Sequence, residues 1–327
     1  MKPVNHISIH SLILALCFFM PIASKAQTYP DRAITWIIPF PPGGTTDVVA
    51  RIIANGLSQE LGQPVAVENK AGAGGIIGTQ QLVRARPDGY TIAMATVSTH
   101  AVSAACNPKL SYNPLTDFTP ITNLVRTANV LTINRDFPAK NYSEFLDVVK
   151  ASPNQYSYAS SGHCGGMHMM GELFKAAANV SLLHIPYRGS GPALNDVASG
   201  QVPVMFDNLP SSIGHIKSGH IRALAVASPE RLAYLPDVPT FAELGLPEVN
   251  DPAWYGVVAP MNTPKEVVQR LDKAFAAVLA DEDVIKRLAS SGAVPANSSP
   301  EIFTQEIKAE LEKMKKVAAE QKITFEH

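Results

Sequence analysis

The apolar run Ile34 to Phe40 ends in Pro41-Pro42-Gly43-Gly44 and gives way at once to a helical repeat, Val49, Ile52, Ile53, Leu57 and Leu61. A nearly continuous apolar run of this length suits a strand covered on both faces, and the repeat after it suits a helix laid across one of them. The pattern recurs. Val65 to Glu68 leads into Ala71-Gly72-Ala73-Gly74-Gly75 and a second helix, and Thr91 to Thr96 makes a third strand. A strand-helix-strand-helix-strand series implies a parallel sheet.

The alternation restarts in mid-chain. Tyr156 to Ala159 precedes Ser160-Ser161-Gly162-His163 and a helix through Glu172 to Ala178. Leu182 to Ile185, Val202 to Phe206 and Ile221 to Ala227 supply further strands. The reading is an α/β chain of two lobes, each a mainly parallel sheet flanked by helices. Near the C-terminus, Thr263-Pro264-Lys265-Glu266 has the form of a capping box, and Ser299-Pro300-Glu301 opens another helix. The helix after Pro264 is amphipathic through Val267, Val268, Leu271, Phe275, Val278 and Leu279, and the last one through Phe303, Ile307, Leu311 and Met314. Both need a sheet to cover, so they are assigned to the first lobe. The expected division is an export segment at 1–26, lobe 1 from 27–127 with 255–327, and lobe 2 from 128–254. The chain then crosses between lobes twice, near Val125 to Ile133 and near Trp254 to Pro260, as a hinge.

Lys2 precedes an apolar run from Leu12 to Ile22, and Ser24-Lys25-Ala26 places small residues where a signal peptidase reads, so cleavage is expected after Ala26. The run is too short to span a bilayer. Losing Lys2 and Lys25 takes the formal net charge from −1 to −3, too mild for a nucleic-acid partner. Cys17 falls in the export segment. Cys106 and Cys164 remain, and in an oxidising compartment they are either bridged or two separate thiols.

In open parallel sheets ligands bind beyond the carboxyl ends of the strands. The loops there are rich in Gly, Ser and Thr and poor in Lys and Arg, so backbone N–H groups and helix N-termini can hold an anion without a cationic side chain. The candidate ligand contacts in the first half are Phe40, Gly43, Gly44, Thr45, Thr46, Asp47, Ser98, Thr99 and His100. In the second half they are Ser160, Ser161, Gly162, His163, Arg188, Asp207 and Asn208. Four have a second role open to them. Asp47 suits either a ligand or helix capping with an ion pair to Arg51; Arg188 suits a carboxylate or the lobe surface. Asp207 suits a ligand or its own loop, and His163 a ligand or solvent. His168 is assigned to the helix.

Ordered segments along nearly the whole chain after residue 26 carry a family resemblance. They are Tyr29-Pro-Asp-Arg32, Pro39-Phe-Pro-Pro-Gly-Gly44 with Asp47 and Ala50-Arg51, Glu68-Asn69 with Gly72-Ala-Gly-Gly75, and Pro87-Asp-Gly-Tyr-Thr91. They continue with Gly171-Glu-Leu-Phe-Lys175, His184-Ile-Pro-Tyr-Arg-Gly189, Phe206-Asp207, Arg222-Ala-Leu-Ala-Val226, Leu235-Pro-Asp-Val-Pro-Thr240 and Trp254-Tyr-Gly256. Together these resemble the extracytoplasmic substrate-binding proteins of tripartite tricarboxylate transporters, the Bug family. The resemblance implies a type II-like periplasmic-binding-protein fold closing around a di- or tricarboxylate, an acidic amino acid or an aromatic acid. It also implies a monomer in the periplasm that delivers its cargo to integral-membrane subunits on other chains. His163 and Cys164 stand where the family more often has small or amide side chains, which bears on specificity.

No enzyme signature competes. Gly72 to Gly78 is only loosely a dinucleotide loop, Pro41 to Asp47 lacks the lysine of a phosphate loop, and no cofactor or metal is expected. A thiol site built from His100, His163 and Cys164 lacks supporting spacing. A sensor that reports the closed form to a signalling receptor would have the same pocket as a transport receptor.

Overall fold

The computed structural model describes residues 29–324, so the expected export segment lies outside the described residues. In chain order the strands are β1 (Ile34–Ile38), β2 (Val65–Asn69), β3 (Thr91–Thr96), β4 (Phe118–Thr127), β5 (Asn129–Asn134), β6 (Ser157–Ser160), β7 (Leu183–Pro186), β8 (Val204–Asn208), β9 (Ile221–Ala227), β10 (Ala253–Pro260) and β11 (Ala293–Pro295). The helices are α1 (Thr45–Leu61), α2 (Ile76–Val83), α3 (Ser103–Cys106), α4 (Tyr142–Ala151), α5 (Gly166–Ala178), α6 (Ser190–Ala198), α7 (Leu209–Lys217), α8 (Lys265–Leu279), α9 (Glu282–Ser291) and α10 (Pro300–Glu320). None of these is long and apolar enough to cross a membrane.

They build two α/β lobes. The first holds a six-stranded sheet in the order β11-β4-β10-β3-β1-β2, the second a five-stranded sheet in the order β7-β6-β8-β5-β9. β1 is parallel to β2 and β3, and β6 is parallel to β7 and β8. Both sheets are nevertheless mixed. β10 runs antiparallel to β3 and β4, and β5 antiparallel to β8 and β9. The reversal follows from the connections: β4, β5 and β10 are the strands by which the chain leaves one sheet and enters the other, and they need no helical crossover.

Alternation along β1 explains why its sequence is apolar on both sides. Ile34, Trp36 and Ile38 enter a core with α1 and α8, and Ile37 enters the opposite core with Leu82, Phe303 and Ile307. Trp36 meets Phe275 of α8 edge-on at 5.5 Å, and Trp254 meets Phe303 of α10 in the same way at 5.3 Å. In the second lobe Leu131, Val204 and Phe206 face Phe145 and Phe174, whereas Met205 faces Ala193, Leu194 and Val197 of α6.

The two C-terminal helix starts differ from each other. Ser299 Oγ accepts from Ile302 N at 3.3 Å and caps α10. The capping box expected at Thr263 does not form: Thr263 Oγ1 donates back to Pro260 O at 2.7 Å, and Pro264 sits just ahead of α8.

The chain passes between lobes at Ala128 and again just before Ala253, and Asn129 Nδ2 ties the crossings by donating to Asp251 O at 2.7 Å. A second link is covalent. Cys106 at the end of α3 and Cys164 ahead of α5 are joined as a disulfide, Cα atoms 6.3 Å apart. Ala101, Val102, Met169, Leu311 and Met314 surround it, so an apolar cluster spans the two lobes at that edge.

Candidate functional site

Between the lobes lies a small cavity of about 30 Å³ lined by Phe40, Gly44, Thr45, Thr46, Thr96, Ser98, Ser161, Ser190, Asn208 and Tyr255. Three helices begin in its wall. α1 starts behind Gly44, α6 behind Gly189 and α7 behind Asn208, and none of these residues caps its helix with a side chain. Helices α4, α9 and α10 are capped by Asn141, Asp281 and Ser299. α8, opening behind Pro264, is an uncapped start outside the cavity wall. A helix N-terminus carries N–H groups without intrahelical acceptors and about half a positive charge, so the starts of α1 and α6 favour an anion there with donors and dipole and α7 with its dipole alone.

The polar side chains around this space are mostly committed. Thr45 Oγ1 lies 3.0 Å from Ser211 Oγ and accepts from Ser211 N at 3.2 Å, bridging α1 to α7 across the cleft. Ser98 Oγ accepts from Gly166 N at 2.9 Å, bridging the lobes at the start of α5. Asn208 Nδ2 donates to Asn129 Oδ1 at 2.6 Å. Thr46 is different. Its Oγ1 is buried in the cavity wall with no hydrogen-bond partner, a condition that a folded protein tolerates where a ligand completes the bond.

Several residues expected at the ligand are placed elsewhere. Asp47 is buried with its carboxylate turned from the cavity: Oδ2 accepts from Gly43 N at 3.1 Å, and Oδ1 from Arg51 Nε at 2.9 Å and Asn69 Nδ2 at 3.0 Å. Burial pushes its carboxyl up, but the bonds from Arg51, Asn69 and Gly43 outweigh that and hold it below the usual carboxylate range. It stiffens the loop that presents Gly44 to Thr46. Asp207 is fully buried and accepts the hydroxyls of Ser190, Ser211 and Ser212 at 2.5, 2.6 and 2.7 Å. Burial raises its carboxyl despite those bonds. Because Ser190 donates its proton inward to Asp207, the donors on that side of the cavity are the backbone N–H groups at the start of α6; in α7 Leu209 N donates to Ala128 O, Pro210 has no N–H and Ser211 N donates to Thr45 Oγ1.

Thr99 and His100 point into the first lobe. Thr99 Oγ1 bonds Thr96 and lies 2.9 Å from His100 Nδ1, and the His100 ring is fully buried against Phe118 at 4.8 Å. Burial lowers the His100 pKa to about 3, so the ring is neutral. Ser160 bonds Gly162 O and His184 beneath the cavity, and Gly162 lies against Gly74 of the opposite lobe. Gly43 and Arg188 are exposed outside the cavity lining. Of the sequence expectations, Phe40, Gly44, Thr45, Thr46, Ser98, Ser161 and Asn208 reach the wall. Thr96, Ser190 and Tyr255 reach it unexpectedly. Ser190 carried a signal, as the first residue of a glycine-flanked helix; Tyr255 carried none beyond lying on a crossover strand.

His163 belongs to a different constellation. One ring nitrogen from each of His163, His168 and His184 falls within 4.8 Å of the others. The His168 and His184 rings lie 3.9 Å apart at 11°, so their in-plane lone pairs run side by side instead of converging. His168 Nδ1 accepts from Cys164 N at 3.2 Å, and His163 Nε2 lies 3.1 Å from Thr324 O. The geometry is that of an imidazole stack bracing the loop before α5, not of a metal cage.

Residues 49–323 match the family model described as tripartite tricarboxylate transporter family receptor. BugT of Bordetella pertussis is 37% identical over 278 residues, 85% of each chain. The structure of the periplasmic binding protein BugD is 36% identical with a TM-score of 0.87, covering 90% of this chain and 99% of that one. R. palustris Rpa4515 with adipate is 34% identical with a TM-score of 0.88, again covering 90% and 99%. The two-lobed fold, the cleft lined by helix starts and these likenesses agree: the chain belongs to the tripartite tricarboxylate transporter receptors, in the Bug family of periplasmic solute-binding proteins, and is a binding protein and not an enzyme.

Proposed function

We propose that this protein captures a small carboxylate between its lobes and delivers it to integral-membrane transporter subunits on other chains. In this reading residues 1–26 direct export and are removed near Ala26, and the protein works as a periplasmic monomer. Its two bodies, 27–127 with 255–327 and 128–254, close about the hinge strands. The carboxylate sits against the starts of α1, α6 and α7, with Thr46 Oγ1 as the side-chain donor. The observation that carries the reading is the meeting of the uncapped starts of α1 and α6, with the N-terminal end of α7 beside them, at the buried, unpartnered Thr46 hydroxyl. The adipate in a neighbour of the same fold is a ligand of the expected chemistry.

The test is a thermal-shift screen against mono-, di- and tricarboxylates, with hits followed by calorimetry on wild type and Thr46→Val. Ligand at a hundred times its Kd is expected to add about 2.7 kcal/mol of stability. Thr46→Val removes only the hydroxyl. It is expected to weaken binding about tenfold while leaving the unliganded protein as stable as before, since that hydroxyl has no partner to lose. Equal affinity in the two proteins would remove Thr46 from the site, and a panel without any hit would sink the carboxylate reading.

A further inference from the structure

The small cavity, at about 30 Å³, holds about two to three waters' worth of space, which suits a carboxylate group and not a ring-sized body. Beside it lies a second cavity of about 340 Å³. The two share Thr96, Ser98, Asn208 and Tyr255, so the wall between them is one side chain thick. A ligand anchored by its carboxylate at the helix N-termini therefore has its body either in this chamber or outside the protein.

The chamber's lining states what kind of body it takes. Met167, Met170 and Leu173 of α5 face Trp254 of β10 and Met314 and Val317 of α10. Five charged side chains also border the chamber: Lys313, paired with Asp251; Lys316, 3.9 Å from Glu320 on the exposed face of α10; and Glu248. Their charges sum to −1, which gives a second carboxylate no net attraction. Thioethers adapt to irregular shapes and make favourable sulfur–aromatic contacts, and a space of about 150 Å³ already holds a benzene ring.

We propose that the chamber is an apolar annex of the ligand site, and that the cargo is a monocarboxylic acid with a ring-sized apolar body. The carboxylate sits at the starts of α1, α6 and α7, and the body passes between Ser98 and Asn208 into the chamber. This rests on the carboxylate reading above and narrows it.

The experiment is calorimetry with propionate, adipate and 3-phenylpropionate on wild type and on Val317→Trp, whose indole fills the chamber. Leu173→Trp repeats the test from the opposite wall should the first variant fail to fold. The expected result is that 3-phenylpropionate binds wild type at least tenfold more tightly than propionate, and that either indole removes most of that advantage while the affinity for propionate stays within twofold. Binding of propionate or adipate with no gain from the phenyl group overturns the annex and leaves the carboxylate reading standing. So does a phenyl advantage unchanged in both tryptophan variants. Failure of all three acids to bind overturns the annex, and with no hit in the wider carboxylate panel it overturns both.

Discussion

Residues of one type are held in opposite electrostatic surroundings here, even where they do the same work. Asp47 lies in the first turn of α1 and Asp207 lies one residue from the end of β8. Asp47 is surrounded by Arg51, Asn69 and the Gly43 N–H and is held ionised. Asp207 is enclosed, with three hydroxyls as its side-chain donors, and burial raises it. Both are internal braces whose product is the position of a loop. His100 gives the clearest pH consequence. Its folded pKa is lowered to about 3 by burial, below the unfolded value near 6.5, so the unfolded chain binds the extra proton first. The His100 contribution to stability is therefore complete above pH 6.5 and is lost as pH falls from there towards 3, by at most about 1.4 kcal/mol per unit. Denaturant unfolding across that range is expected to show the slope in wild type and a shallower one in His100→Phe. An unchanged slope would place the acid sensitivity on other groups.

At the scale of elements, the site is a property of helix starts and not of side chains brought in to bind. Glycine at the head of α1, α5 and α6 serves closeness as much as conformation. A Cβ on Gly191, in the first turn of α6, would stand 2.6 Å from Pro42 O in the other lobe, nearer than any real contact. This clash exists only when the loop before α1 meets the start of α6, that is, with the lobes together. Gly191→Ala is thus expected to cost the closed form about 1–3 kcal/mol, as overpacking does elsewhere, and to weaken ligand binding tenfold or more with little change in the melting temperature of the unliganded protein. Calorimetry and a melting curve on the same sample check both halves. A loss of stability without ligand, equal to the loss in binding energy, would mean that the contact belongs to the resting fold.

For the whole molecule, the two lobes are joined by more than their hinge. The crossings at Ala128 and before Ala253 are the expected connection, but Cys106 and Cys164 add a covalent one on the cleft side, within an apolar cluster drawn from both lobes. Cys106 and Cys164 are absent from the cavity wall, so if the lobes open as proposed, a tether there restrains opening without touching the site. Cys106→Ser is expected to raise the radius of gyration of the unliganded protein in solution scattering and to leave that of the liganded protein unchanged. It should also lower stability by about 2–4 kcal/mol, the usual loss for a loop of this kind. Equal radii for wild type and variant without ligand would show that the tether does not restrain opening.

By itself the sequence showed the α/β class and many of the elements, though not α4, α9 or β11. The apolar phrase around Trp36, the glycine-rich strand ends and the periodic faces of α1, α8 and α10 are local patterns, and local patterns follow from backbone geometry and burial. It also pointed to an anion held by backbone donors, the reading proposed above, because the loops contain glycine and hydroxyls in place of cations. The tertiary structure decided which of those loop residues face the cleft. Asp47 and Asp207 satisfy their carboxylates inward with help from Asn69 and Ser190 of other elements, partners invisible in any one segment, whereas Thr99 bonds its neighbours Thr96 and His100 within one turn. Tyr255 reaches the cavity, and the chamber beside it exists, only because β10 and α10 return from the far end of the chain to stand against the second lobe. The sense of each strand was decided in the same way: a strand that carries the chain from one lobe to the other takes its direction from where it must arrive.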